Sequence, residues 1–260
     1  MESDGPKRAP KKVPLAQRTL LRTAVRESGR HLSVQLDGAF AFDDDGPPPL
    51  SRLCRLGEPA LKVYLTLVLA TRKAPHQLFR GTSAARFARM LGYDNAEDDN
   101  PKSAGTRKVQ RALASLHREG FIVRTPRPGR VDLIEVHHVA GKFRPPYVTI
   151  PLDLWVYGWI NVLPGHALFA YLVLRHACAG DETREVHVAP YIRSAYGLSD
   201  ETWAKGTKSL VRFGLLTERL HNPDDRDLPR RQRKVYKLRS SAMGSVATVI
   251  EPDRPRSEEA

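Results

Sequence analysis

Apolar positions between about residue 50 and residue 240 fall into two successive sets with the same order of helical and strand-like spacing. Each set opens with a long, nearly unbroken apolar segment, 59–74 and 165–179, whose length favours helix over strand. A short helical segment follows, ending at Gly92 or Gly197, where a C-terminal cap calls for a left-handed backbone. The third segment is amphipathic, about 105–119 in one set and about 199–213 in the other, and Ser199 with Asp200 is a suitable N-cap for the second. In 105–119, Val109, Ala112, Leu113 and Leu116 form one stripe at i, i+3, i+4 and i+7; in 199–213 the inward set is Trp203, Thr207, Leu210 and Val211. Each third helix runs into a glycine, Gly120 or Gly214, and then into a strand, Phe121-Ile122-Val123 or Leu215-Leu216-Thr217. Hairpins follow: the turn Pro126 to Arg130 with a return strand Val131 to Val136, and the loop His221 to Arg230 with a return strand Arg233 to Leu238.

The two sets form a weak internal repeat. Ala60 to Leu67 aligns with Ala167 to Leu174 at an offset of 107, Ala84 to Gly92 with Ala189 to Gly197 at 105, and Ser115 to Ile122 with Ser209 to Leu216 at 94. The offset shrinks because the first copy carries an extra polar loop, Tyr93 to Gly105, while the second is preceded by Tyr147 to Val162.

Outside the repeat, residues 1–14 are rich in Lys, Arg and Pro and read as a disordered basic arm. Leu15 to Ser28 has the spacing of a short amphipathic helix, which could serve to dimerise the chain. Asp43 to Pro49 reads as a linker because three prolines cannot continue a helix. The tail from Ser241 to Ala260 reads as mostly disordered. The expected organisation is therefore an arm, short helix and linker over 1–49, one domain over 50–142, a second over 143–240, and a tail over 241–260. The fold class is α+β and mainly helical.

The patterns LxxxGFI, from Leu116, and LxxFGLLT, from Leu210, each lead from a helix through glycine into an apolar strand and a basic hairpin. They resemble bacterial winged helix-turn-helix DNA-binding domains. The run from Tyr147 to Arg219 is similar to actinobacterial helix-turn-helix proteins usually taken as regulators, and two winged helices in one chain are also similar to plasmid and phage replication initiators. The resemblance covers about 50–240. It implies two tandem winged helices that act by binding, and it carries over no catalytic residue.

Charge points the same way. Lys plus Arg is 42 against 29 Asp plus Glu in 260 residues, a net +13, and Arg outnumbers Lys 30 to 12. Such an excess suits a polyanion, nucleic acid first and anionic membrane second. No stretch of about 18 apolar residues is present, and MESDGPKRAPKK has no apolar region of the kind a secretory signal carries. Cys54 and Cys178 fit buried thiols of a reducing compartment. The expected location is cytoplasmic and nucleoid-associated, with no membrane partner.

A recognition helix keeps one face on its domain and offers the other to the major groove. The outward positions of 105–119 are Thr106, Arg107, Lys108, Gln110, Arg111 and Ser115; Arg and Gln have the bidentate geometry for guanine and adenine edges. From 199–213 the candidates are Thr202, Lys205, Lys208 and Arg212, with Glu201 arguing against deep insertion. In the first hairpin they are Arg127 and Arg130, and in the second Arg230, Arg231, Arg233 and Lys234. Other motifs fail. Gly206-Thr207-Lys208-Ser209 lacks the adjacent Gly-Lys and preceding strand of a P-loop, and His117-Arg118-Glu119 lacks the second half of a deaminase motif. Asp94, Glu97, Asp98 and Asp99 read as a solvated acidic loop. Trp155, Tyr157 and Trp159 read as packing residues. The expected function is non-enzymatic, sequence-specific binding of double-stranded DNA without a cofactor, as a transcriptional regulator. Replication initiation is the first alternative, and a winged-helix protein-interaction module is the alternative of another class.

Overall fold

A computed structural model describes residues 11–41, 47–97, 100, 102–139, 147–221 and 233–249. In chain order the elements are β1 (Lys11–Lys12), α1 (Leu15–Ser28), β2 (Ser33–Leu36), α2 (Gly38–Ala41), α3 (Pro49–Leu56), α4 (Glu58–Ala70), β3 (Gln77–Leu78), α5 (Ala84–Met90), α6 (Ala104–Arg118), β4 (Ile122–Thr125) and β5 (Leu133–Val136). They continue as β6 (Val148–Pro151), α7 (Asp153–Val156), α8 (Trp159–Val162), α9 (Gly165–Ala177), α10 (Pro190–Ala195), α11 (Asp200–Arg212), β7 (Leu216–His221), β8 (Arg233–Leu238) and β9 (Thr248–Val249). The fold is α+β, with small antiparallel sheets among the helices.

Two helices organise the core. Every residue of α4 from Ala60 to Leu69 is buried, including Lys62 and Thr66, and α9 is buried almost as completely. Helices apolar all round must be enclosed by other elements, and here α6 packs on α4, with α5 against α6, while α11 packs on α9. The same succession then recurs. In the first half, β3 joins the edge of the β4–β5 hairpin, giving the order β3-β5-β4, with Gln77 opposite Glu135 and Leu78 opposite Ile134. In the second half, Val186 bridges Tyr236 of β8 by two backbone hydrogen bonds, on the side of β8 away from β7. Helix, edge strand, two further helices and a hairpin thus occur twice in the same order. The glycines that close α5 and α10 have φ of 73° at Gly92 and 67° at Gly197, the left-handed conformation that favours a residue without Cβ.

The two halves share one hydrophobic core. Trp155 donates its indole N–H to Thr66 Oγ1 at 3.3 Å, and Trp159 donates to the Met243 carbonyl at 2.9 Å. Both indoles are buried, so these aromatics pack as their clustering suggested.

Several expectations about the ends are corrected. Residues 11–14 are not a loose arm: β1 pairs with β9, setting Lys11 opposite Val249 and Lys12 opposite Thr248, and Val13 is buried against Gly158. Residues 241–249 are likewise ordered, with Met243 and Ala247 buried. Helix α1 spends its apolar face inside the chain, packing Leu21, Ala24 and Val25 near α4, α5 and α7. Strand β2 pairs with β6, which ties the segment before residue 50 to the second half. Pro49 does not prolong a linker but starts α3 at the first helical position, where proline's missing N–H costs nothing. Residues 1–10, 43–46 and 250–260, the rest of the expected arm, linker and tail, lie outside the described residues, as do Asp98 and Asp99.

Candidate nucleic-acid interface

Helix α6 is capped by its own chain. Ser103 Oγ accepts from the Thr106 N–H at 2.9 Å, and Asp94 Oδ1 accepts from the Gly105 N–H at 3.0 Å. The other carboxylate oxygen of Asp94 bonds to Thr106 Oγ1 at 3.2 Å and to Ser103 Oγ. Asp94 is therefore a capping residue, not part of a solvated acidic loop, and it satisfies donors that the first turn of a helix leaves open. Thr106, expected to face outward, is only 2% exposed, so it cannot reach a base edge unless the cap opens.

The rest of the outward face stands as its period requires. Arg107, Lys108, Gln110 and Arg111 are exposed, whereas Val109, Ala112, Leu113 and Leu116 are buried. Arg107 Nη1 donates to the Lys102 carbonyl at 2.6 Å, and the Lys108 ammonium lies 4.4 Å from the centre of the Tyr93 ring. Helix α6 contains no acidic residue. One flank borders a cleft of about 380 Å³ lined by Leu56, Pro59, Lys108, Arg111 and Ser115.

Helix α11 differs. Ser199 Oγ accepts from the Thr202 N–H at 3.1 Å, so Thr202 belongs to the cap. Lys205 is paired with Glu201 at 2.7 Å, and Asp200 pairs with Arg193 at 3.1 Å. Lys208 and Arg212 are exposed. Val211, placed inward by the pattern, is 43% exposed, because the face that meets α9 is centred on Trp203, Gly206, Thr207 and Leu210. The glycine explains the false P-loop signal: a Cβ on Gly206 would lie 2.5 Å from the His166 carbonyl oxygen. That position needs glycine for helix packing.

The hairpins divide their charges between structure and surface. Arg127, expected to touch DNA, is turned back into the fold: its Nη2 donates to the carbonyls of Phe79 at 2.6 Å and Val131 at 2.8 Å. Its planar fork can bridge two strands in this way. Arg124 pairs with Asp132 at 2.5 Å. Arg130 is the exposed cation at the hairpin tip. In the second hairpin Lys234 pairs with Glu218 at 2.5 Å, while Arg233 is exposed; Arg230 and Arg231 lie outside the described residues. β7 extends to His221, further than the expected strand. Part of the basic excess is structural as well: Arg30 donates to the carbonyls of Val68, Leu69 and Thr71 at the end of α4, and Arg175 is buried against the Thr149 carbonyl and Glu182.

Where α4 and α9 begin, the halves meet. The Gly165 N–H donates to Glu58 Oε2 at 2.8 Å, and Glu58 Oε1 pairs with the buried Lys62 ammonium at 2.8 Å. Lys62 also donates to the Asn161 carbonyl at 3.3 Å. Burial opposes the charge on Glu58, but Lys62, the Gly165 N–H and the nearby charge of Lys108 outweigh it and hold the carboxyl below its ordinary range. Burial also pushes the Lys62 ammonium and the His166 imidazole down, His166 with Glu58 opposing and Lys205 adding. His166 Nε2 lies 3.1 Å from Ser209 Oγ of α11. Lys108 of α6 and Lys205 of α11 thus act on one small cluster, so the two third helices flank a common junction. Periodicity within one copy carries no signal for this long-range arrangement.

Both cysteines are free, and burial pushes their thiols up. Among the described residues no helix is long and apolar enough to cross a membrane. No protein-family model, curated protein or solved structure matches the chain.

Proposed function

We propose that each half of the repeat is a winged helix-turn-helix and that the chain is a sequence-specific binder of double-stranded DNA, acting by binding and not by catalysis. The observation that carries the reading is the outward face of α6: Arg107, Lys108, Gln110 and Arg111 are exposed together on a helix without a carboxylate, above a buried stripe. Arg and Gln read guanine and adenine edges, and Lys serves phosphates. Because Asp94 occupies the start of α6, the contacts come from the side of the helix rather than its tip.

Helix α11 is the secondary element. Its first turn is acidic, and its cations Lys208 and Arg212 lie further along, which suits backbone contact rather than base reading. The shared junction lets one chain offer both helices to a single duplex. Arg130 extends the surface from the first hairpin. A transcriptional regulator is the simplest role for such a protein.

The test is selection of bound sequences from a random duplex pool, run beside Arg107→Ala with Arg111→Ala. An enriched motif lost in the double variant is expected, each arginine being worth about 1–3 kcal/mol if it reads a base. Affinity should also fall steeply with salt, with a slope near −0.9 for each phosphate contacted. A motif found at promoters marks a regulator, and one found at a replication origin marks an initiator. Binding without enrichment, equal in the double variant, defeats the reading.

A further inference from the structure

An open groove of about 670 Å³ runs between α10 and β8, and no residue of α6 is among the described residues that line it. Its floor is rigid. Val188 and Tyr236 are buried beneath it, and the Tyr236 hydroxyl accepts from the Trp203 indole N–H at 3.1 Å, with the two rings edge to face. Its walls are polar and aromatic. Tyr191 lines one lip and is 75% exposed, unusual for an aromatic ring with no packing duty. Arg193 lines the same wall; its Nη2 is held by Asp200, while its Nε is shut off from solvent with no hydrogen-bond partner. Arg233 stands opposite, exposed at the start of β8. His187 donates from Nδ1 to the Lys234 carbonyl at 2.9 Å, which fixes the ring and leaves Nε2 for a ligand. No carboxylate is among the described residues that line the groove.

We propose that this groove binds a nucleotide unit, with the base stacked on Tyr191 and the phosphate held between Arg193 and Arg233. Two guanidinium groups lining one groove suit a phosphate: Arg233 can engage it with paired N–H donors, and Arg193, whose Nη2 is held by Asp200, adds its Nη1. An exposed tyrosine beside them supplies the sequence-tolerant stacking platform that unpaired bases use. The volume is in the range of small-ligand sites, roughly 300–1,000 Å³. Duplex DNA keeps its bases stacked on one another, so a tyrosine platform points to a base that is already unpaired. Two sources share this chemistry, a free nucleotide and one residue of a single strand. The inference is independent of α6.

The experiment is fluorescence anisotropy on the full chain with two labelled probes, a short oligothymidylate and an ATP analogue, and with duplex DNA as a parallel measurement. Tyr191→Ala removes an exposed side chain and leaves the core untouched, and Tyr191→Phe keeps the stacking surface. At least one probe should bind saturably, weaken about tenfold or more in Tyr191→Ala, and stay near wild type both in Tyr191→Phe and in Arg107→Ala with Arg111→Ala. Arg233→Ala should weaken the same probe and make its binding less dependent on salt. Binding of the ATP analogue identifies a free nucleotide, and binding of the oligonucleotide alone identifies a strand. The proposal is overturned if neither probe binds, or if Tyr191→Ala leaves probe binding unchanged. It also fails if Tyr191→Ala weakens only the duplex, which would make the groove part of the duplex surface. Loss of duplex binding in the α6 variant with the probes unaffected keeps the two readings apart.

Discussion

The backbone N–H of Gly165 donates a 2.8 Å hydrogen bond to Glu58, and the two residues hold the same place in the internal repeat, 107 positions apart. A Cβ on Gly165 would sit 2.8 Å from Glu58 Cβ, so the two helix starts abut directly. Contact between equivalent positions is what two-fold related units make on their axis. Here the contact lies within one chain, and α6 packs on one of the two abutting helices while α11 packs on the other.

This contact makes the junction sensitive to acid. Glu58 is held below its ordinary range by Lys62, the Gly165 N–H and Lys108 against the cost of burial, so on acidification the unfolded chain takes up this proton first. The contribution of Glu58 is complete above the ordinary carboxylate range and is lost as pH falls through the lower folded value. Glu58→Gln should cost about 2 kcal/mol near neutrality, since it leaves Lys62 buried without its counter-charge. The gap to wild type should hold down to about pH 5 and narrow below it. Urea denaturation of both proteins across pH measures it; a gap unchanged down to pH 3 would falsify the assignment.

Gly105 is required by the loop that caps α6. A Cβ there would lie 2.3 Å from Asp94 Oδ1 and 2.6 Å from the Tyr93 carbonyl oxygen. Gly105→Ala should therefore destabilise by about 1–3 kcal/mol although alanine is the better helix former. Asp94→Ala should cost about 1 kcal/mol through loss of the cap. The double variant should cost less than the sum, because one clash leaves with the carboxylate. Thermal melts followed by circular dichroism compare the three; strict additivity would mean that Asp94 does not form the cap.

Gly206 and Gly214 should fail for different reasons. Gly206 has the His166 carbonyl oxygen and Ala170 Cβ within 2.9 Å of an added Cβ, whereas nothing lies within 4 Å of one on Gly214, whose φ is +71°. Gly206→Ala must push α11 off α9 and should lose about 1–3 kcal/mol. Gly214→Ala pays only for the left-handed backbone, about 1 kcal/mol. Hydrogen exchange should show α9 and α11 loosening together in the first variant and the start of β7 alone in the second. The same pattern in both would remove the packing argument.

Arg127 and Arg130 sit three residues apart with opposite duties. Arg127→Ala should lower stability by about 1 kcal/mol through lost hydrogen bonds to Phe79 and Val131. Arg130→Ala should leave stability unchanged and, if the hairpin touches a phosphate, reduce the salt slope of duplex binding by about one. Melting curves and salt titrations on both variants separate the roles. A salt slope altered by Arg127→Ala and not by Arg130→Ala would reverse them.

What could be read from the chain itself was local. Val109, Ala112, Leu113 and Leu116 recur at the helical period, and this settles which face of α6 is buried, because a helix of that sequence can hide only one stripe. Gly92 and Gly197 mark the helix ends because few other residues tolerate that backbone. Charge composition pointed to a polyanion, but it did not distinguish Arg130, which faces solvent, from Arg127, Arg30 or Arg175, which are spent on carbonyls and carboxylates. That distinction, the burial of Thr106, the cap by Asp94 and the pairing of Lys11–Lys12 with Thr248–Val249 all depend on partners far away in sequence or across a loop. The same holds for the Tyr191 groove and the Glu58–Gly165 contact. Periodicity records how a segment meets a core in general. Which donor meets which acceptor is decided only when the whole chain has closed, since each of those bonds needs atoms placed to within a fraction of an ångström by packing elsewhere.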